Sequence, residues 1–278
     1  MPDYKVPVND YLFLFNDVLD MQSKYKSVQG GDEASNDMVE AIFTEAAKFC
    51  ENELAPIYQS GDDGCTWDDG VVTTPAGFKE AYQKFIEAGW TSLTGSTDMG
   101  GQGLPSSIGI AINEMMTTAN WAWAMYPGLS EGAVATLETS GTEQQKKDYL
   151  VKLISGVWSG TMCLTEPHCG TDLGLMKTKA VPNDDGSYKV NGTKIFISAG
   201  EHDLTDNIVH IVLAKLPDAP KGTKGLSLFI IPKFLVAEDG SAGERNGVRC
   251  GSIEHKMGIH GNGTAVLNFD DAKAFLIG

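Results

Sequence analysis

The run Met162-Cys163-Leu164-Thr165-Glu166-Pro167-His168-Cys169-Gly170-Thr171-Asp172 gathers more chemistry-bearing side chains than any other stretch of this sequence. Its apolar start reads as a short strand. Pro167 ends the pairing because it has no amide proton to give, and Gly170 lets the backbone come close to a ligand. The hydroxyls of Thr165 and Thr171, with the amides beside them, could bond a planar heterocycle and its phosphate. The same residues also suit a plain exit from strand to loop. Residue chemistry alone leaves both readings open.

Other constellations carry less. His168, His202, His210, His255 and His260 show no HExxH or paired ligand spacing, so no metal site is expected. Lys221-Gly222-Thr223-Lys224-Gly225 lacks the phosphate-loop spacing and reads as a solvated turn. Gly101-Gln102-Gly103 has Ser106 where a dinucleotide fingerprint needs its third glycine. Cys163 and Cys169 read as small buried residues, not nucleophiles, and Trp121 and Trp123 as packing residues.

The elements that must position these residues change character along the chain. Asp37 and Glu40 have the spacing of a capping box, followed by Met38, Ile42, Phe43, Ala46, Phe49, Cys50 and Leu54 at helical intervals up to Pro56. A second helix is expected from Thr74, with Pro75 in its first turn, Phe78, Tyr82, Phe85 and Ile86 inward, and Gly89 as its cap. Ser106–Asn120 and Ser130–Ser140 also read as helical. Thr142 and Gln145 form another capping box before Tyr149, Leu150, Leu153 and Ile154, with Gly156 closing the helix. Striped helices joined by short turns predict a bundle.

Beyond Gly156 the periodicity becomes that of strands. Turns are expected at Asn183–Gly186 and at Asn191-Gly192, and strands at Ile208–Ala214, Leu226–Ile231 and Thr264–Phe269. The fold class is therefore α+β with segregated domains. A helical bundle is expected over 1–155, with 1–35 as an N-terminal extension, and a barrel-like or sandwich β domain over 156–270. Residues 271–278 are expected to start a further helical domain that this chain does not include.

Composition narrows the classes. A formal net charge of −16 repels nucleic acid. Five cysteines without a CxxC pair argue against a disulfide framework and for a reducing, cytoplasmic setting. The apolar stretches fall far short of the roughly 20 residues that cross a bilayer, and the N-terminus has no signal pattern, so no membrane partner is expected.

Four motifs, in order, resemble those of acyl-CoA dehydrogenases. The Thr165-Glu166-Pro167 run with Gly170-Thr171-Asp172 is similar to the family's flavin-binding signature. Asn191-Gly192-Thr193-Lys194-Ile195-Phe196-Ile197-Ser198 resembles its second signature, and Lys256-Met257-Gly258-Ile259-His260-Gly261 its third. Gly100-Gly101-Gln102-Gly103-Leu104-Pro105 resembles the glycine turn of its helical domain. Tyr4-Lys5-Val6-Pro7 and Phe13–Leu19 are similar to the extra N-terminal segment of a subgroup that includes 3-methylmercaptopropionyl-CoA dehydrogenases.

The resemblance implies FAD as cofactor and an acyl-CoA thioester as substrate, oxidised to its α,β-enoyl product. It implies an electron-transfer flavoprotein as acceptor and a homo-oligomer at full length. Position by position, it gives Met162, Leu164 and Thr165 to the flavin pyrimidine edge, and Gly170 and Thr171 to the pyrophosphate, with Thr171 also meeting the acyl-CoA. Phe196 would cover one flavin face, and Ser198 would bond near N5. Phe196 stands where many members have Trp, and Ser198 where Thr is frequent; stacking and the hydroxyl both survive. Glu166 belongs to the cofactor loop in this pattern. The family's base comes from the C-terminal domain, so no catalytic residue is assigned here, and the fragment alone is expected to be inactive. An acyl-CoA oxidase, a flavin monooxygenase and a DNA-associated alkylation-response flavoprotein share the same resemblance.

Overall fold

The computed structural model describes residues 4–278. Helices come first. α1 (Val8–Phe13) runs on through a widened turn, Leu14–Val18, and α2 (Met21–Tyr25) follows. α3 (Asn36–Phe49) extends through a widened turn, Cys50–Leu54, and buries Val39, Phe43, Ala46, Ala47, Cys50 and Leu54. The Asp37–Glu40 box does not form. Ser35, in the extended conformation a cap needs, accepts the Met38 amide at 3.3 Å instead.

α4 (Tyr58–Asp63) leads into the small hairpin of β1 (Thr66–Asp68) and β2 (Val71–Thr73). α5 (Phe78–Glu87) begins four residues later than Thr74. The Thr74 amide and hydroxyl are both taken by Asp203, at 3.1 and 2.7 Å, and Gly77 turns the chain at φ +86° before the helix starts. The two helices expected between 106 and 140 join as α6 (Ser106–Ser140), broken at Asn120, where φ is −160°. Asn120 keeps that break satisfied: its side chain donates to Leu54 O and accepts from the Trp123 amide. The Thr142–Gln145 box forms and opens α7 (Glu143–Gln145), which passes through Lys146–Leu150 into α8 (Val151–Ile154). Trp123, Phe43, Phe78, Tyr82 and Tyr126 are fully buried in one aromatic-rich core.

Strands follow: β3 (Trp158–Cys163), β4 (Lys179–Pro182), β5 (Tyr188–Ile197), β6 (Asn207–Lys215), β7 (Leu226–Pro232), β8 (Phe234–Val236), β9 (Ala242–Arg245), β10 (Val248–Ile253) and β11 (Ala265–Leu276). Pairing runs from β6 to β7, β11, β5 and β4 and returns to β6, so these five strands close on themselves. Closure removes open edges and supports the barrel-like expectation. β3 joins β6 in parallel with Met162 opposite Ile211, and β10 joins β11. α6 packs along β3, where Ser130 Oγ accepts the Gly160 amide at 2.9 Å.

Two expectations are corrected here. Asn191-Gly192 is no turn; it lies inside β5. Gly192 is needed there for packing, because a Cβ would lie 2.3 Å from Thr178 Oγ1. Residues 271–276 do not open a helix; they continue β11 past a bulge at which Asp271 and Asn191 exchange two 2.9 Å hydrogen bonds.

Candidate functional site

The site is built where β3 leaves the sheet and crosses the end of β5. After Cys163 the chain passes through Leu164 and Thr165 into the turn Glu166-Pro167-His168-Cys169. Reciprocal backbone bonds of 2.8 and 3.0 Å between Glu166 and Cys169 close that turn. Thr165 and Gly170 flank the closure, and a Cβ on Gly170 would sit 3.5 Å from Thr165 Cγ2, an ordinary contact. Gly170 and Thr171 are exposed, whereas Leu164 and Thr165 are half-buried. Asp172 caps the short turn Leu173–Leu175 by accepting the Gly174 amide at 3.0 Å.

β5 supplies the second half. The Ile195 amide donates to Thr165 O at 2.9 Å, which puts Phe196 beside the loop. Phe196 is 57% exposed and holds φ +57°, a conformation that costs a non-glycine residue about 1–2 kcal/mol. Ser198 follows, half-buried, in a turn fixed by Asn262 Oδ1, which accepts the Ala199 amide at 2.9 Å. The amide nitrogen of that buried Asn262 has no acceptor among the described residues. Met162 completes the group from β3, facing Gly132 of α6, where an added Cβ would lie 3.7 Å from Met162 Cγ.

Beneath this surface lies Glu166, nine-tenths and more buried. Its carboxylate accepts the Lys177 amide at 2.7 Å, the Thr178 amide at 3.0 Å and Lys194 Nζ at 3.0 Å. Burial alone would raise its pKa; the donors from Thr178, Lys177 and Lys194 outweigh that and hold the carboxyl below its ordinary value. Lys194 also donates to Leu164 O at 2.9 Å. Three donors from the chain itself make this carboxylate the anchor of the loop.

The arrangement offers one exposed aromatic ring, two half-buried hydroxyl-bearing residues, Thr165 and Ser198, and an exposed glycine–threonine step. That donor set suits a planar, polar-edged ring carrying phosphate. All seven residues expected at the site come from just two segments, 162–171 and 196–198, linked by the Ile195–Thr165 bond.

Residues 36–157 match the acyl-CoA dehydrogenase N-terminal domain, and residues 161–272 match the acyl-CoA dehydrogenase middle domain. The chain belongs to the acyl-CoA dehydrogenase family. It is 44% identical to a 3-methylmercaptopropionyl-CoA dehydrogenase from Ruegeria pomeroyi, over 99% of this chain and 47% of that protein. That match runs through most of the first 35 residues, ahead of the point at which the N-terminal domain match begins. Among solved structures, it is similar to a butyryl-CoA dehydrogenase from Megasphaera elsdenii (TM-score 0.70, 30% identity, 88% of this chain and 59% of that one). It is also similar to an acyl-CoA dehydrogenase complexed with FAD from Bacillus anthracis (TM-score 0.68, 26% identity, 91% of this chain and 39% of that one). The chain spans about half the length of the curated acyl-CoA dehydrogenases it matches.

Within this acyl-CoA dehydrogenase fold, two features depart from the sequence reading, which holds a glycine–serine–glycine elbow to be absent and gives Lys194 no role of its own. Gly128-Leu129-Ser130-Glu131-Gly132 has the glycine–serine–glycine spacing of a hydrolase elbow. It lies inside α6, and Ser130 is buried, accepting from Gly160 and donating to Tyr126 O, so it is a helix-to-strand clasp. Lys194 was read only as part of a motif. Its burial at 0% exposure, unusual for a lysine, is a signal no spacing rule supplies. No helix among the described residues is long and apolar enough to cross a membrane.

Proposed function

We propose that this chain forms the helical and β-domain walls of an FAD-dependent acyl-CoA dehydrogenase. The enzyme oxidises an acyl-CoA thioester, of the 3-methylmercaptopropionyl-CoA type, to its α,β-enoyl-CoA and passes the electrons to an electron-transfer flavoprotein. The observation that carries the reading is Phe196: a strained, exposed aromatic ring hydrogen-bonded through its neighbour Ile195 to the Thr165 loop. Folding alone gives no reason to keep a large apolar ring there; stacking against a ligand does.

FAD, when bound, supplies the acceptor for the hydride that leaves the β-carbon. The residues of this chain hold and tune it. Met162 and Leu164 offer backbone groups, and Thr165 its hydroxyl, to the polar edge of the ring. Phe196 covers one face. The Ser198 hydroxyl donates where negative charge grows during reduction, an electrostatic contribution fixed in advance by the Asn262-anchored turn. Gly170 and Thr171 face the phosphate, and Thr171 reaches the acyl-CoA. The α-proton is taken by a carboxylate other than Glu166.

Flavin fluorescence quenching on titration with FAD tests this reading. Phe196→Ala is expected to weaken FAD binding at least tenfold while Phe196→Trp retains it. Equal affinity in wild type and Phe196→Ala would remove Phe196 and the Thr165 loop from consideration as the flavin site.

A further inference from the structure

The spacing of histidines and cysteines along the sequence argued against a metal site, yet the Glu166–Cys169 turn folds three different ligand types onto one another. One ligand atom each from Glu166, His168 and Cys169 lies within 4.8 Å of the other two. We propose that these residues form a site for a borderline divalent cation, with Zn2+ as its occupant.

The geometry is close to what such an ion needs. Ligand atoms around tetrahedral Zn2+ stand about 3.3–3.7 Å apart, given bonds of about 2.0–2.3 Å. Glu166 Oε2 and His168 Nε2 are already 3.5 Å apart. Closing the remaining gap to Cys169 Sγ takes about an ångström of side-chain movement. The backbone of the turn is held by its two reciprocal bonds, so no backbone rearrangement is required.

The carboxylate is oriented in advance. Lys194 and the Thr178 amide both bond Oε1, whereas the Lys177 amide alone bonds Oε2, which keeps a lone pair on the side of His168. Donors on the far oxygen of a ligating carboxylate are what fixes such ligands elsewhere. His168 Nε2 donates to Leu175 O at 3.0 Å in the metal-free protein. The ion takes that position, and the imidazole proton moves to Nδ1. A thiolate and a carboxylate offset the two charges of the cation, the thiol proton passes to solvent, and Lys194, which shares that carboxylate, leaves one net positive charge on the site. His168 is about a third exposed, which provides the route in and the water for a fourth position. Sulfur and nitrogen donors select zinc-like ions over Mg2+ and Ca2+.

The test is titration of the 278-residue chain with Co2+, in a phosphine reductant, followed by Zn2+. One equivalent of Co2+ should bring tetrahedral d–d bands and a thiolate-to-cobalt charge-transfer band, both chased by Zn2+. Cys169→Ser should abolish the charge-transfer band, and His168→Gln should weaken binding at least tenfold. His168→Gln changes an exposed side chain, so its result stands even if Cys169→Ser fails to fold. Absence of the charge-transfer band in wild type, its persistence in Cys169→Ser, or unchanged affinity in His168→Gln would each overturn the site.

Discussion

Lys194 Nζ lies 3.0 Å from Glu166 Oε1, with both side chains at or below 2% exposure, and the same ammonium holds Leu164 O at 2.9 Å. One buried cation therefore fastens the loop after β3 to the middle of β5. Removing one partner strands the other's charge in the interior, which costs about 3–5 kcal/mol. Lys194→Met is expected to lose that much in urea unfolding. The pair Glu166→Gln with Lys194→Met should recover a large part, since neither charge is left alone. A double variant no more stable than Lys194→Met would mean that the amide bonds to Lys177 and Thr178, not the ion pair, carry the loop.

Phe196 gives a prediction with two opposite signs. At φ +57° a glycine is relieved of the Cβ strain that phenylalanine carries, and the ring is 57% exposed, so folding loses little by its removal. Phe196→Gly should raise the thermal midpoint of the FAD-free chain, by about 1 kcal/mol of stability, while weakening FAD binding at least tenfold. Losses in both would show that the ring packs for the fold.

The division into helices and then strands was legible because the periodicity of 3.6 in Phe78, Tyr82 and Phe85 gives way to β-branched runs such as Ile208–Val212. The Thr165 loop and Phe196 stood out through their motifs, and the fold sets the two side by side through the Ile195–Thr165 bond. Three things were not. Ser35 outcompeted Asp37 as a cap because backbone conformation, not residue type alone, decides which side chain reaches an orphan amide. Asn191-Gly192 has the composition of a tight turn, but its glycine answers to Thr178, which is distant in sequence. The Lys194–Glu166 contact joins residues 28 apart, and nothing local in either segment announces it.

Gly192 can be tested directly. An added Cβ would meet Thr178 Oγ1 at 2.3 Å and Thr178 Cβ and Cγ2 at 2.9 Å, too close for a rotamer change alone to relieve. Gly192→Ala is expected to cost about 1–3 kcal/mol through overpacking. Thr178→Ala in the same chain should restore part of it, having removed two of the three clashing atoms. No rescue would place the clash in the backbone of β5 itself.

The last prediction concerns acid. His202 and His210 are buried beside β3: His202 Nδ1 accepts the Leu204 amide, so its Nε2–H donates to Ser159 Oγ at 2.9 Å, and His210 Nδ1 lies 2.8 Å from Thr161 Oγ1. Burial, with Lys233 nearby, pushes both imidazoles down from the ordinary 6.5 to about 3. His202 and Arg245 push His210 the same way. The unfolded chain therefore binds protons that the folded chain refuses over roughly pH 6.5 to 3. Stability is full above 6.5 and falls as the pH drops, by up to about 1.4 kcal/mol per pH unit for each histidine. The depressed Glu166 carboxyl loses stabilisation only as the pH falls below its ordinary value. His260, whose pKa is raised by its bonds to Lys256 O and Asp62 O, acts with the opposite sign. Urea midpoints at pH 7, 6 and 5 are therefore compared between wild type and a variant lacking His202 and His210. Replacing both with glutamine should flatten the decline between pH 6.5 and 5, whatever it does to stability at pH 7. An unchanged slope in that double variant would assign the acid sensitivity to other groups.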